Sequence, residues 1–133
     1  MKKIQPEKPR LEKFIVGSGG VTKGELVVLS GTDVVEAGAA VTAATIVGIA
    51  HESGLENAIV DVDIILPGNK IRADYVGTVL ATLTDANLGS VFDIDNGTTV
   101  DLDDTTGGCA FCVGYDNDAD TIDFVIPASF LYF

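Results

Sequence analysis

Short runs of β-branched and aliphatic residues, each cut off by glycine, asparagine or aspartate before it could fill a helix, recur along this 133-residue chain. No other feature constrains the fold as strongly. Runs of that length bounded by turn formers suit half-buried or buried strands, and a helix needs a longer stretch with a 3.6-residue period.

The first strong run is Glu25 to Ser30, preceded by the turn-prone Gly17-Ser18-Gly19-Gly20 and closed by Gly31-Thr32-Asp33. Residues 34–44 read mostly as loop, because Gly38 and the β-branched Val41 and Thr42 weaken a helix there. Residues 45–50 and 58–65 read as two strands of a hairpin joined by the polar stretch 51–57. Pro67-Gly68-Asn69 is a turn, and 70–75 alternates charged with small or apolar residues as a half-exposed strand does. Residues 84–89 suit a helical turn opened by a Thr or Asp cap and closed by Gly89. Strands are expected at 90–95 and 98–102 around the hairpin pair Asn96-Gly97, then at 109–115, 121–126 and 129–133. A weak internal echo relates Val47-Gly48-Ile49 and Ile59-Val60-Asp61-Val62 to Val113-Gly114-Tyr115 and Ile122-Asp123-Phe124-Val125. The fold class that follows is all-β, a small barrel or sandwich with at most one or two short helical turns.

Charge divides the chain unevenly. The net charge is −12, yet residues 1–13 hold five basic and two acidic side chains, a balance of +3 that leaves −15 on residues 14–133. Pro6, Pro9 and the scarcity of apolar residues predict that 1–13 is an extended basic arm, ordered on contact with a partner, ahead of a single β-rich domain over 14–133. So acidic a body opposes nucleic acid. No apolar stretch approaches the ~20 residues of a membrane-spanning helix, and the start lacks the apolar run of a secretory signal, so no membrane association and a cytoplasmic site of synthesis are expected.

Motifs that could carry chemistry are incomplete. Cys109-Ala110-Phe111-Cys112 has redox or zinc spacing, but two cysteines and one histidine cannot complete a four-ligand zinc site, and a strand would send the two thiols to opposite faces. Inert, reduced core cysteines are expected. Asp116, Asp118 and Asp120 begin like a calcium loop, but Thr121 and Pro127 occupy the positions of its glycine and its closing glutamate, so a solvated turn and no metal are expected. The acidic turns at Asp93–Gly97 and Asp101–Asp104 are less specific still. His51 beside Glu52 has no identifiable nucleophile or orienting carboxylate. Residues 17–24 are glycine-rich without opening a helix, which suits a linker better than a phosphate cradle. The aromatic end, Phe130 to Phe133, is either a last core strand or part of a subunit contact.

At Gly24–Leu29, Ile46–Ala50 and Ala58–Val62, and again at Leu88–Asp93, the Asp-rich turn and Val113-Gly114-Tyr115, the order of elements resembles bacteriophage head decoration proteins, also called capsid cement proteins. The likeness of pattern covers residues 14–130. It implies a β-tulip-like body on the outer surface of an icosahedral virion, as homotrimers at three-fold and quasi-three-fold positions. It further implies an arm laid across major capsid protein subunits that clamps the shell against the pressure of packaged DNA. No catalytic residue and no cofactor come with it. Lys2, Lys3, Lys8, Arg10, Lys13 and Phe14 are then the expected partner-binding residues, with charge pairing or strand addition as the mode of docking. The alternative is a small β module that binds a ligand, a carbohydrate or calcium through the Asp-rich turns; a hydrolase built on His51 ranks below both.

Overall fold

A computed structural model describes residues 1–4, 8–39 and 41–133. Pro6 and Glu7, which enter the expectation of a basic arm, lie outside these. Among the described residues eleven strands fall into two sheets: β1 (Lys2–Lys3), β2 (Leu11–Ile15), β3 (Leu26–Ser30), β4 (Asp33–Glu36), β5 (Ile46–Ala50), β6 (Ile59–Ile64), β7 (Ile71–Val76), β8 (Val91–Asn96), β9 (Thr99–Asp101), β10 (Ala110–Asp116) and β11 (Thr121–Val125). Two 3₁₀ turns, Asp85–Asn87 and Ala128–Phe130, complete the regular structure. The fold is all-β, as the run lengths require, and no helix among the described residues is long and apolar enough to cross a membrane.

Each sheet bends round to meet itself. One runs β2-β6-β5-β3-β4, and the parallel bridge Val16 to Val34, reinforced by the Gly17 N–H on the Val34 carbonyl (2.8 Å), joins its two ends. The other runs β1-β7-β11-β10-β8-β9 and closes where β9 pairs in parallel with Asp74 to Val76 of β7. In that sheet β1 takes the remaining part of the same β7 edge, at Ile71 and Arg72. Two small rings therefore stand side by side, and closure removes most of the unpaired edge that a flat sheet would expose.

Their cores are distinct. Val16, Val27, Val34, Val47, Val60, Val62 and Ile64 fill the first ring, a valine-rich interior in keeping with its small diameter. The second core gathers Ile71, Phe92, Ile94, Val100, Ile122 and Phe124, and also takes Leu26, Ile46, Ile49 and Ile65 from the outer face of the first ring. Successive residues of β5 thus serve different cores, which is why Ile46-Val47-Gly48-Ile49-Ala50 is apolar throughout and buried at every position.

Four expectations change. Asp33–Glu36 is a strand where a loop was expected, because Val34 enters the first core and Ser30 and Asp33 pair across a tight turn at Gly31, whose φ of 67° suits glycine. The glycine-rich stretch is not a linker. A Cβ at Gly17 would lie 2.8 Å from Val35 Cγ1, and Val21 bridges Gly54. Residues 129–133 form no strand; after Pro127 the chain makes a 3₁₀ turn and only Leu131 pairs, with Ile46. Finally, described parts of the N-terminal segment pair within the chain: β1 with β7, and β2 along its length with β6.

Gly48 sits where the two cores meet. A Cβ there would approach the Asp63 carbonyl oxygen to 2.2 Å, a contact that only backbone movement in β5 and β6 can relieve. We expect Gly48→Ala to cost at least ~2 kcal/mol in urea unfolding, whereas Gly38→Ala, with nothing within 4 Å of its Cβ, changes stability by less than ~0.5 kcal/mol.

Candidate partner-binding surface

Strand pairing separates the basic N-terminal residues into anchors and free cations. Antiparallel β1 turns Lys3 inward, where its Nζ donates to Asp63 Oδ1 (2.7 Å) and to the Ile64 carbonyl. With side-chain exposures of 9% and 16%, this pair is shielded enough to matter, and Asp63 Oδ1 also accepts the Arg10 N–H (3.0 Å). Lys13 reaches Asp61 at 3.0 Å but is 72% exposed, so that pair contributes little. Lys2, Lys8 and Arg10 project from the surface, and none of their side chains forms an ion pair among the described residues. Phe14, half-buried against the first core, meets Phe133 edge-on with ring centroids 6.5 Å apart, and Phe133 meets Tyr132 likewise at 4.9 Å. The chain end therefore divides: Leu131 is core, while Tyr132 and Phe133 are exposed aromatics beside Phe14.

Other outer positions are also apolar. On β10, Ala110 and Cys112 face the core, and the alternate residues Phe111 and Val113 face out. Phe111 stands in register with Val91 on one side and Val125 on the other, which makes a row across three strands. On the first ring, Leu11, Ile15 and Ile59 are exposed, the last two as a cross-strand pair.

The Asp-rich turn is occupied by its own backbone. Asp116 Oδ1 accepts the N–H groups of Asp118 (3.0 Å) and Ala119 (3.3 Å), and Asp120 takes φ 52° and accepts a 3.3 Å hydrogen bond from the Tyr75 hydroxyl. Between them, Asn117 receives the Tyr75 hydroxyl (2.8 Å) and the Leu83 N–H (3.0 Å) and donates to the Leu83 carbonyl (2.7 Å). Burial, followed by the nearby Asp120, pushes the Tyr75 hydroxyl above its ordinary range. Among the described residues no group of three or more His, Cys, Asp or Glu side chains could hold a metal ion. His51 is exposed at the end of β5, its N–H on the Asp61 carbonyl.

Both cysteines are in the larger core. Cys109 precedes β10, so strand alternation does not send it away from Cys112, and burial pushes its thiol up to about 12. Neither is poised as a thiolate nucleophile.

Two carboxylates carry roles that their local sequence did not reveal. Asp103 accepts the N–H groups of Thr78 (2.6 Å), Val79 (3.1 Å) and Leu80 (2.8 Å) and the Thr78 hydroxyl (2.9 Å), which clasps the loop that follows β7. Those donors, the Thr78 N–H first, hold its carboxyl down at about 2 against an ordinary 3.8. A depressed folded-state value means the clasp favours folding above pH 3.8 and is lost only as the pH falls through about 2. Its partners are more than twenty residues away, so no short-range pattern marks it. Asp93 is the opposite case. Burial, then proximity to Asp104 and Asp101, raises its carboxyl although Oδ1 accepts the Ile94 N–H (2.8 Å).

Two outcomes follow. Lys3→Ala should lower unfolding stability by ~2 kcal/mol, because Asp63 loses its shielded cation, while Lys8→Ala should leave it unchanged; chemical denaturation of both separates anchor from free cation. A folded-state value above the unfolded one makes ionised Asp93 unfavourable at neutral pH, with the penalty relieved as acid protonates it. Asp93→Asn, which keeps the acceptor for Ile94, should therefore raise Tm by a few degrees at pH 7, and the gain should vanish below pH 3.8, where the carboxyl is protonated in both states.

Compared with known protein families and with curated proteins, the chain matches none, so its function is argued from the geometry of these residues.

Proposed function

We propose that the protein is a noncatalytic structural module that decorates the outside of an assembled viral shell. It binds there as a homotrimer, with its N-terminal segment against major capsid protein, and stiffens the shell against internal DNA pressure. One observation carries the reading: β1 and β2 anchor the N-terminal segment on two different sheets, and exposed Lys8 and Arg10 lie between those anchors without an ion-pair partner among the described residues. Arg10, whose N–H donates to Asp63 Oδ1 and whose carbonyl accepts the Ile64 N–H, loses little further backbone entropy when its side chain meets a partner. That corrects the picture of an arm that orders only on contact.

Several features agree. The apolar row of exposed Phe111 between half-buried Val91 and Val125, and the exposed Tyr132 and Phe133, are surfaces that contacts to neighbouring subunits would bury. Both rings are filled with aliphatic and aromatic side chains, which leaves a ligand-binding barrel less support, and in the Asp116–Asp120 turn Asp116 already accepts backbone N–H groups and Asp120 the Tyr75 hydroxyl, which argues against the calcium alternative. Placement of many copies on a lattice lets weak individual contacts sum to firm attachment.

The test is co-sedimentation of the full chain with empty shells from the same source, together with its molar mass by light scattering. We expect saturable binding that weakens roughly tenfold or more in the Lys8→Glu, Arg10→Glu variant, whose substitutions break no ion pair among the described residues. Absence of binding by the unaltered protein would overturn the reading.

A further inference from the structure

The chain holds eight lysines and arginines, and three of them, Lys2, Lys3 and Lys23, line a single groove beside β1 together with His51, its one histidine. The groove is open, about 260 Å³ in volume, and the buried Ile49 and Ala50 of β5 form its floor. That size is below the range of about 300–1,000 Å³ usual for a small-molecule pocket, so it suits side chains of a partner lying along the surface better than an enclosed ligand.

The groove already contains one example of the chemistry it favours. Asp63 lies in it with a carboxylate oxygen 2.7 Å from Lys3 Nζ. Lys2 and Lys23 are exposed and pair with no acidic side chain among the described residues; Lys23 is fixed at its backbone instead, its N–H donating to Ser53 Oγ at 2.9 Å. A phosphate site would bring several backbone N–H groups to one point, as a helix N-terminus does, and no helix stands here. Separate ammonium groups, Lys2 on β1 and Lys23 in a turn, instead match separate carboxylates along an extended chain.

We propose that this groove is a binding site for an acidic peptide segment of a partner protein, with its carboxylates on Lys2 and Lys23. The site does not depend on the shell reading: it would take such a segment from any partner, and shell binding through Lys8 and Arg10 can stand or fall without it.

Backbone amide shifts of the full chain, recorded at low ionic strength during titration with a blocked poly-glutamate peptide, test the site. We expect saturable shifts at Lys2, Lys3, Lys23, Gly24, Ala50 and His51, an affinity that falls with added salt, and a loss of roughly tenfold or more in the Lys2→Glu, Lys23→Glu variant. A thermal melt checks that this variant is folded; if it melts early, Lys23→Glu alone carries the test, since Lys23 lies in a turn outside the strands. No shifts at these amides, shifts that persist undiminished in the charge-reversed protein, or the same pattern with inorganic phosphate at matched ionic strength would each overturn the proposal.

Discussion

The five residues of β5 are buried on both faces, and most of the structure depends on that arrangement. Ile46 and Ile49 look into one core, and Val47 and Ala50 look into the other, so a single strand is the wall between two hydrophobic interiors. A chain of this size would ordinarily gather its apolar residues into one centre. Here the first ring lends its outer face, at Leu26, Ile46, Ile49 and Ile65, to the core of the second. Neither ring buries its apolar residues independently of the other, and the joint is sealed by polar contacts: the Leu26 N–H donates to the Gly97 carbonyl (2.6 Å), and the Gly97 N–H donates to Glu36 Oε1 (3.0 Å). The hairpin turn of one sheet is thus fixed on the edge of the other.

That arrangement accounts for which parts of the fold could be read from residue order. β5, β6, β7, β10 and β11 have runs whose burial follows directly from alternation or from continuous apolar character, and all were legible. β4 was not, because Asp33–Glu36 is short and its place is decided by Val34 reaching a core assembled from distant strands. The turn at 84–89 was legible because its signals are local: Thr84 precedes the 3₁₀ residues and Gly89 follows at φ 85°. The tail misled for a related reason. Its aromatic composition suits a strand, but Pro127 interrupts the backbone geometry and only Leu131 finds a partner strand.

At the candidate surface the basic segment was visible as charge alone, and its division into roles was not. Lys3, Lys8 and Lys13 are equivalent by composition; what distinguishes them is whether β1 and β2 place Asp63, Asp61 or solvent opposite, and strand register settles that. The groove beside β1 was equally hidden. Lys2, Lys23 and His51 are spread over about fifty residues of sequence and come together because β1 docks on β7 close to the end of β5.

The acidic excess takes on a different meaning in this light. A fold made of short strands and many turns leaves numerous loop N–H groups without a ladder partner, and each needs an acceptor if it is shielded from water. Aspartate and glutamate supply many of them: Asp103 for Thr78, Val79 and Leu80, Asp101 for Asp103, Asp104 for Thr106, Asp116 for Asp118, Glu25 for Thr22 and Glu52 for Asp61. Much of the net charge of −12 is therefore a consequence of turn construction and points to no cation or partner. Positive charge follows the opposite logic. Ammonium and guanidinium groups cannot cap N–H donors, so the turns have no use for them, and the three cations that form ion pairs among the described residues, Lys3, Lys13 and Arg72, each lie on a strand and reach an aspartate of another strand. Exposed cations left over after that pairing among the described residues, at Lys2, Lys8, Arg10, Lys23 and Lys70, have no ion-pair role to explain them, and on this molecule they are where a partner is to be sought.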